Sequence, residues 1–131
     1  MNHLKEYWFH ELRLMREALL GKEEKFILTF HTENDRMNKR KIEIVEIAEV
    51  ILTGTILEGW DIARYPHFRN PDPLRTLVGR TSSGRFLSVG VAICADGGYR
   101  VTTVYEGITH RLLENFETDC PEWHSEYMTI N

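Results

Sequence analysis

The sequence predicts a single α+β domain in which helices come first and an antiparallel sheet follows. Apolar residues in the first half recur at three- and four-residue spacing, which is typical of amphipathic helices. The second half carries short apolar or alternating runs separated by turn sequences, which is typical of consecutive antiparallel strands. The chain has 131 residues, 42% of them hydrophobic, which fits one domain with its own core.

Three helices are predicted in the first half. The first spans 3–20 and ends before Gly21, a natural C-cap. Its apolar face consists of Leu4, Tyr7, Trp8, Leu12, Met15 and Leu19. Thr29 follows a short apolar run and is a suitable N-cap for a short polar helix. The stretch 42–52 has a helical apolar face and ends before Gly54. Helices on one face of a sheet are therefore expected.

The second half predicts a four-stranded antiparallel sheet. The four predicted strands span 55–58, 74–81, 86–94 and 99–106. A Pro-, Asn-, Asp- and Arg-rich loop, 61–73, separates the first two strands. Asp96-Gly97-Gly98 is a strong hairpin signal between the last two. After the sheet, 108–116 predicts a last helix, and 118–131 shows no clear period.

Composition limits the classes of function. No apolar run approaches the roughly 20 residues that span a bilayer, and the N-terminus lacks a signal-peptide core, so a cytoplasmic protein is expected. Cys94 and Cys120 are too few for a disulfide framework. Cys94 is expected to be a buried, inert thiol.

Charge is unevenly distributed along the chain. The formal net charge is −4, which argues against nonspecific nucleic-acid binding. The acidic excess is concentrated at the C-terminus, where six Asp and Glu residues but one Arg follow residue 105. The segment 25–105 is mildly basic. The tail therefore shields the basic core, binds a partner, or is simply solvated.

A set of short motifs occurs in a recognisable order. The set begins with His31, Arg36-Met37 and Arg40 before Ile42, and it continues with Ile56, Glu58, Leu77, Gly79, Gly84, Arg85, the run 87–93 and Val104-Tyr105-Glu106. In order and spacing these residues resemble the bacterial family called domain of unknown function 4258, which is similar to the BrnT and RelE toxins. The resemblance covers residues 27–107.

The resemblance implies a RelE-like fold for the core, residues 25–107, between an N-terminal helical extension, 1–24, and an acidic tail, 108–131. Toxins of that fold cleave mRNA and are neutralised by a bound antitoxin. One position departs from the pattern, because such domains commonly carry a His where this chain has Ser88. A catalytically inactive protein-binding module of the same fold is therefore the alternative.

Metal-independent RNA cleavage needs a base, an acid and cations that stabilise the phosphorane. The candidate catalytic residues are His31, Arg36, Arg40 and Tyr105, and the candidate substrate-binding residues are Arg80, Arg85, His67 and Arg69. His31 titrates near neutral pH, and arginines grip phosphate through paired hydrogen bonds. Tyr105 can donate a proton or stack on a base.

Each candidate also has a structural interpretation. His31 and Asp35 are spaced to pair on a helix, and arginines that flank a turn are routinely exposed. Tyr105 suits a strand end with a wet hydroxyl. Aromatic and basic residues alternate over 65–75, which suits single-stranded nucleic acid and equally an ordinary exposed loop.

No cofactor or metal site is predicted. Glycine motifs for nucleotides are absent from the sequence, and Cys120, His124 and His110 do not form a paired zinc-ligand pattern. The expected partners are RNA and an antitoxin or other protein. A second copy of the chain is a further candidate partner, through Trp8, Phe9, Leu12 and Met15 of the first helix. No membrane partner is expected.

Overall fold

The computed structural model describes residues 2–21, 26–28 and 42–130. Its elements, numbered in chain order, are α1 (Asn2–Leu19), β1 (Phe26–Leu28), α2 (Ile44–Thr53), β2 (Thr55–Trp60), β3 (Leu74–Arg80), β4 (Phe86–Ile93), β5 (Tyr99–Glu106), a 3-10 turn (His110–Leu112), α3 (Leu113–Asp119) and α4 (Pro121–Ile130). The α+β class is confirmed. The polar helix predicted after Thr29 lies outside the described residues.

The sheet is mixed and has five strands in the order β1-β5-β4-β3-β2. Strands β2 to β5 are antiparallel neighbours, as predicted. The expected strand count is wrong, because β1 adds a fifth strand, parallel to β5, with Phe26 opposite Tyr99. A strand of three residues is too short to show alternation, and its partner lies far away in sequence.

Helices α1 and α2 cover the first face of the sheet. Their buried side chains, including Met15, Val50 and Ile51, pack with Leu77 and Val89 of the central strands. Helix α2 is fixed at both ends. A reciprocal capping box joins Glu43 and Glu46 at its start. The Arg16 guanidinium donates to the carbonyls of Ile51 (2.8 Å) and Gly54 (2.9 Å) at its end.

The C-terminal segment covers part of the second face. Residues 118–131 show no clear period in the sequence, but α4 occupies most of this stretch, and the predicted helix 108–116 begins as a 3-10 turn. The rings of Phe116 and Tyr127 pack on Phe86 at centroid distances of 6.0 and 5.5 Å. The Tyr127 hydroxyl accepts a hydrogen bond from the Ile108 N–H (3.1 Å). The tail is therefore part of the core.

None of the helices in the described ranges is long and apolar enough to cross a membrane. In helix α1, Leu12 and Met15 are buried in the core, whereas Phe9 is 73% exposed. Two of the four residues considered for self-association are therefore already occupied in the fold.

Candidate functional site on the open sheet face

A groove lies on the second face of the sheet, beside the part that α3 and α4 cover. Its volume is about 420 Å³. The residues that line this open-face groove are Tyr65, Thr76, Gly90, Thr103, Tyr105, Glu106, Thr109 and Arg111. Polar side chains from two strands, a loop and the segment around the 3-10 turn therefore converge on one concave surface, together with Gly90 of a third strand.

The floor of the groove is a row of small residues across three strands. Thr76 of β3 is paired with Gly90 of β4, and Gly90 is paired with Thr103 of β5. A Cβ atom on Gly90 would lie 2.5 Å from the Thr103 Oγ1 atom. The absence of a side chain at Gly90 thus keeps the floor low and leaves the threonine hydroxyls at its surface.

An ion pair between Arg111 and Glu58 forms one wall. The Arg111 Nη2 atom donates to Glu58 Oε1 (2.7 Å), and its Nε atom donates to Oε2 (3.3 Å). Thr76 Oγ1 also donates to Glu58 Oε1 (3.0 Å). The Glu58 side chain is only 12% exposed, whereas Arg111 is 39% exposed. Glu58 therefore acts as a fixed anchor that orients the guanidinium.

The electrostatics of this pair keep both groups charged. Burial acts to raise the pKa of Glu58, but hydrogen bonds from Arg111, Thr76 and the Trp60 indole outweigh it and lower that pKa. The contribution of Trp60 is weak, because its buried Nε1 atom has no hydrogen bond of normal geometry within the described residues. The pKa of Arg111 is raised by Glu58 first and also by the nearby phenols of Tyr65 and Tyr105. A permanent cation thus stands beside two phenols.

Another part of the groove is formed by a loop, residues 61–73, which is built around one buried amide. The Asn70 Nδ2 atom donates to the carbonyls of Asp61 (2.9 Å) and Asp72 (2.7 Å), and its Oδ1 atom accepts from the Tyr65 N–H (2.9 Å). Asn70 is 1% exposed. Ala63 adopts a φ of 63°, a left-handed conformation that non-glycine residues rarely take. The loop is thus held in one shape that places Tyr65 at the groove.

Tyr65 also belongs to an aromatic cluster at the groove's edge. Its ring lies 6.0 Å from Trp60, 5.2 Å from His67 and 4.9 Å from Phe68, each with tilted or edge-on geometry. Phe68 is 56% exposed. A smaller compartment of about 100 Å³ continues the groove and shares Tyr65 and the threonine floor with it.

Some of the predicted site residues lie at or near this groove, and others are not among the residues that the structure describes. Tyr105 lines the groove, and it lies opposite Ser88 in the sheet register. His67 and Arg69 are exposed on the same loop as Tyr65. The remaining catalytic candidates, which are His31, Arg36 and Arg40, lie outside the described residues.

The two arginines that flank the β3–β4 turn make ion pairs instead. Arg80 pairs with Glu126 of α4. Arg85 donates to both carboxylate oxygens of Glu46, at 2.6 and 2.9 Å. This contact lowers the pKa of Glu46 from 4.5 to about 2. Arg85 also contacts Glu106 at the groove rim (3.3 Å), so it belongs to a structural network that ends at the groove.

Ser88 is inaccessible from the groove. Its side chain is fully buried, and its hydroxyl donates to the Gly107 carbonyl (2.8 Å). The Ser88 hydroxyl is therefore engaged in a structural hydrogen bond. Sequence reasoning also missed the Arg111–Glu58 pair, whose members are 53 positions apart. Nothing in a single sequence indicates such a pairing.

A second cleft of about 430 Å³ lies between α1 and the α3–α4 junction. Trp8, Phe9 and Trp123 line it together with the first residues of β2. None of the predicted site residues that the structure describes contributes to it. In the described ranges, moreover, no three His, Cys, Asp or Glu side chains are grouped to hold a metal ion. The open-face groove is thus the stronger candidate site.

The comparisons with known proteins agree with the motif order. The family model called domain of unknown function 4258 matches residues 31–106, more than half of the chain. The chain belongs to this family. No curated protein and no solved structure matches the chain. The residues matched by the family model include Glu58 and Tyr105 but end before Arg111. The groove therefore combines residues of the family domain with residues of the C-terminal segment, including Arg111.

Proposed function

We propose that this chain is a RelE/BrnT-like, toxin-type domain that cleaves RNA without a metal ion, and that the open-face groove is its active site. One observation carries the proposal: Glu58 holds the Arg111 guanidinium at a concave, hydroxyl-lined surface beside Tyr105 and Tyr65. A fixed guanidinium next to hydroxyl donors suits a phosphate group and the charge that develops on it in a transition state.

The chemistry is the attack of a ribose 2′-oxygen on the adjacent phosphorus. The 2′-oxygen bond to phosphorus forms and the 5′-oxygen bond breaks, which leaves a 2′,3′-cyclic phosphate and a 5′-hydroxyl. Glu106, a residue of the groove rim whose carboxylate also contacts Arg85, accepts the 2′ proton. The Tyr105 hydroxyl protonates the leaving 5′-oxygen, and Arg111 stabilises the phosphorane.

The candidates from the sequence extend this assignment. His31 is a second acid or base, and Arg36 and Arg40 add cations. His67 and Arg69 lie on the loop that forms the groove's wall, where they contact the RNA backbone beyond the reacting phosphate. Arg80 and Arg85 bind substrate only if RNA competes with their ion pairs to Glu126 and Glu46.

Expression in a bacterial host tests the proposal. Wild-type protein should arrest growth and degrade total RNA, whereas Arg111→Gln and His31→Ala/Arg36→Ala should not. Arg13→Gln is the matched control, because Arg13 is an exposed arginine on α1, which covers the other face of the sheet. Normal growth with intact RNA in cells that express folded wild type and contain no antitoxin rejects the proposal.

A catalytically inactive protein-binding module is the second candidate. Ser88 is buried at the position where, by the resemblance, such domains commonly carry a His, and Glu58 pairs with the Arg111 charge. This function predicts that His31→Ala and Arg36→Ala leave capture of the protein partner intact. Loss of the partner by these variants, while they remain folded, contradicts it.

Self-association through α1 remains a separate prediction. Leu12 and Met15 are occupied in the core, so the contact would rest on Trp8 and the exposed Phe9. Light scattering should detect a dimer that Phe9→Ser weakens. A monomer at every accessible concentration removes this prediction.

A further inference from the structure

The smaller compartment of the groove has the features of a site for a planar ligand. Its walls are Tyr65, Phe68 and Leu74, and its floor is Gly90 with the hydroxyls of Thr102 and Thr103. Because Gly90 has no side chain, the Thr103 hydroxyl lies close over the backbone of β4 at this floor. Aromatic side chains can stack on a nucleobase, and hydroxyl groups can form hydrogen bonds with its edge, so this lining suits a nucleobase.

The compartment and the Arg111 side of the groove are continuous. Tyr65, Thr76, Gly90 and Thr103 line both. A ligand with a phosphate at Arg111 therefore extends directly toward Phe68. Nucleic acids have this alternation of anionic and planar groups, and a base can enter such a compartment only when it is unpaired.

We propose that the compartment beside Tyr65 and Phe68 is a base pocket, which holds one unpaired nucleobase while the adjacent phosphate lies at Arg111. This inference rests on the proposed function, because it names the substrate class of the same groove as single-stranded nucleic acid. The Asn70 hydrogen bonds place the aromatic wall in advance, so binding requires little ordering of the loop.

The pocket is testable without catalysis. A single-stranded 2′-deoxy oligonucleotide lacks the attacking hydroxyl, so it binds without being cleaved. Fluorescence anisotropy should show that this probe binds wild type more tightly than the same probe in a duplex. Phe68→Ala should weaken binding by roughly 5- to 150-fold, the range for loss of one stacking partner. Binding of an abasic probe should not change with this substitution.

Ile62→Ala is the matched control, because Ile62 lies on the same loop and is 57% exposed against 56% for Phe68. This control should bind both probes like wild type. Equal binding of normal and abasic probes to wild type overturns the base pocket, as does absence of any oligonucleotide binding. RNA cleavage that does not change with Phe68→Ala would reject the base pocket and retain the ribonuclease proposal. Base-dependent binding without RNA cleavage would retain the base pocket and reject the ribonuclease proposal.

Discussion

The Glu46–Arg85 ion pair gives a quantitative prediction for stability. Arg85 makes two hydrogen bonds to the Glu46 carboxylate, and Ser83 Oγ (2.9 Å) and the Glu43 N–H (3.0 Å) add two more. These contacts join the start of α2 to the β3–β4 turn. They lower the pKa of Glu46 from 4.5 to about 2. Glu46→Gln should therefore lower the free energy of unfolding at neutral pH.

The size of this loss follows from the pKa difference. A shift from 4.5 to about 2 corresponds to about 3 kcal/mol at pH 7. Arg85 is 25% exposed, so water screens the pair, and we expect about 1.5 to 3 kcal/mol. Because the pKa is lower in the folded state, the stabilisation is complete above pH 4.5 and disappears as the pH falls toward 2.

Urea denaturation of wild type and Glu46→Gln from pH 7 to pH 2 measures this difference directly. The gap between the two proteins should be largest at pH 7 and should close below pH 4.5. Glu17→Gln, a change of the same type at an exposed position of α1, should shift stability by less than about 0.5 kcal/mol. A gap for Glu46→Gln that is equally small, or that does not change with pH, contradicts the stabilising role of this ion pair.

Three further substitutions probe the groove and its cover. Gly90→Ala places a Cβ atom 2.5 Å from Thr103 Oγ1, so it should lower the free energy of unfolding by about 1 to 3 kcal/mol, measured by thermal or urea unfolding. The double variant Gly90→Ala/Thr103→Ala should recover part of this loss. Failure of the double variant to recover stability contradicts the assigned clash. Asn70→Ala removes three hydrogen bonds, so it should speed amide hydrogen exchange in loop 61–73, and unchanged exchange contradicts its role. Tyr127→Phe should cost about 1 kcal/mol, because the buried Ile108 N–H loses its acceptor, and an unfolding curve like wild type argues against this bond.

The sequence predicted the regular part of this fold well. Helix α1 and the strands β3 to β5 follow from apolar spacing, and the Asp96-Gly97-Gly98 turn forms as expected, with the Gly98 N–H bonded to Asp96 Oδ1 (2.9 Å). These features are local, so their residues carry the signal themselves. Helix α4 was missed, because it has no strongly one-sided apolar face and is fixed by contacts of Trp123 and Tyr127 with Phe86.

The groove was less predictable than the fold. Tyr105 and the aromatic loop were identified as candidates, but the Arg111–Glu58 pair joins a strand to a turn 53 residues away. Such a contact is determined by the register of the sheet and the path of the chain, which periodicity does not encode. The Asn70 hydrogen bonds join residues only two, five and nine positions apart, but they depend on the path of an irregular loop, which periodicity does not encode either.

The decisive measurement is cleavage of a labelled single-stranded RNA by the purified protein in the presence of EDTA. Wild type and Arg13→Gln should form products that end in a 2′,3′-cyclic phosphate, and folded Arg111→Gln should form them at least about tenfold more slowly. Intact RNA after prolonged incubation with folded wild type, or equal cleavage by Arg111→Gln, would contradict the proposal that this groove is the active site of a ribonuclease.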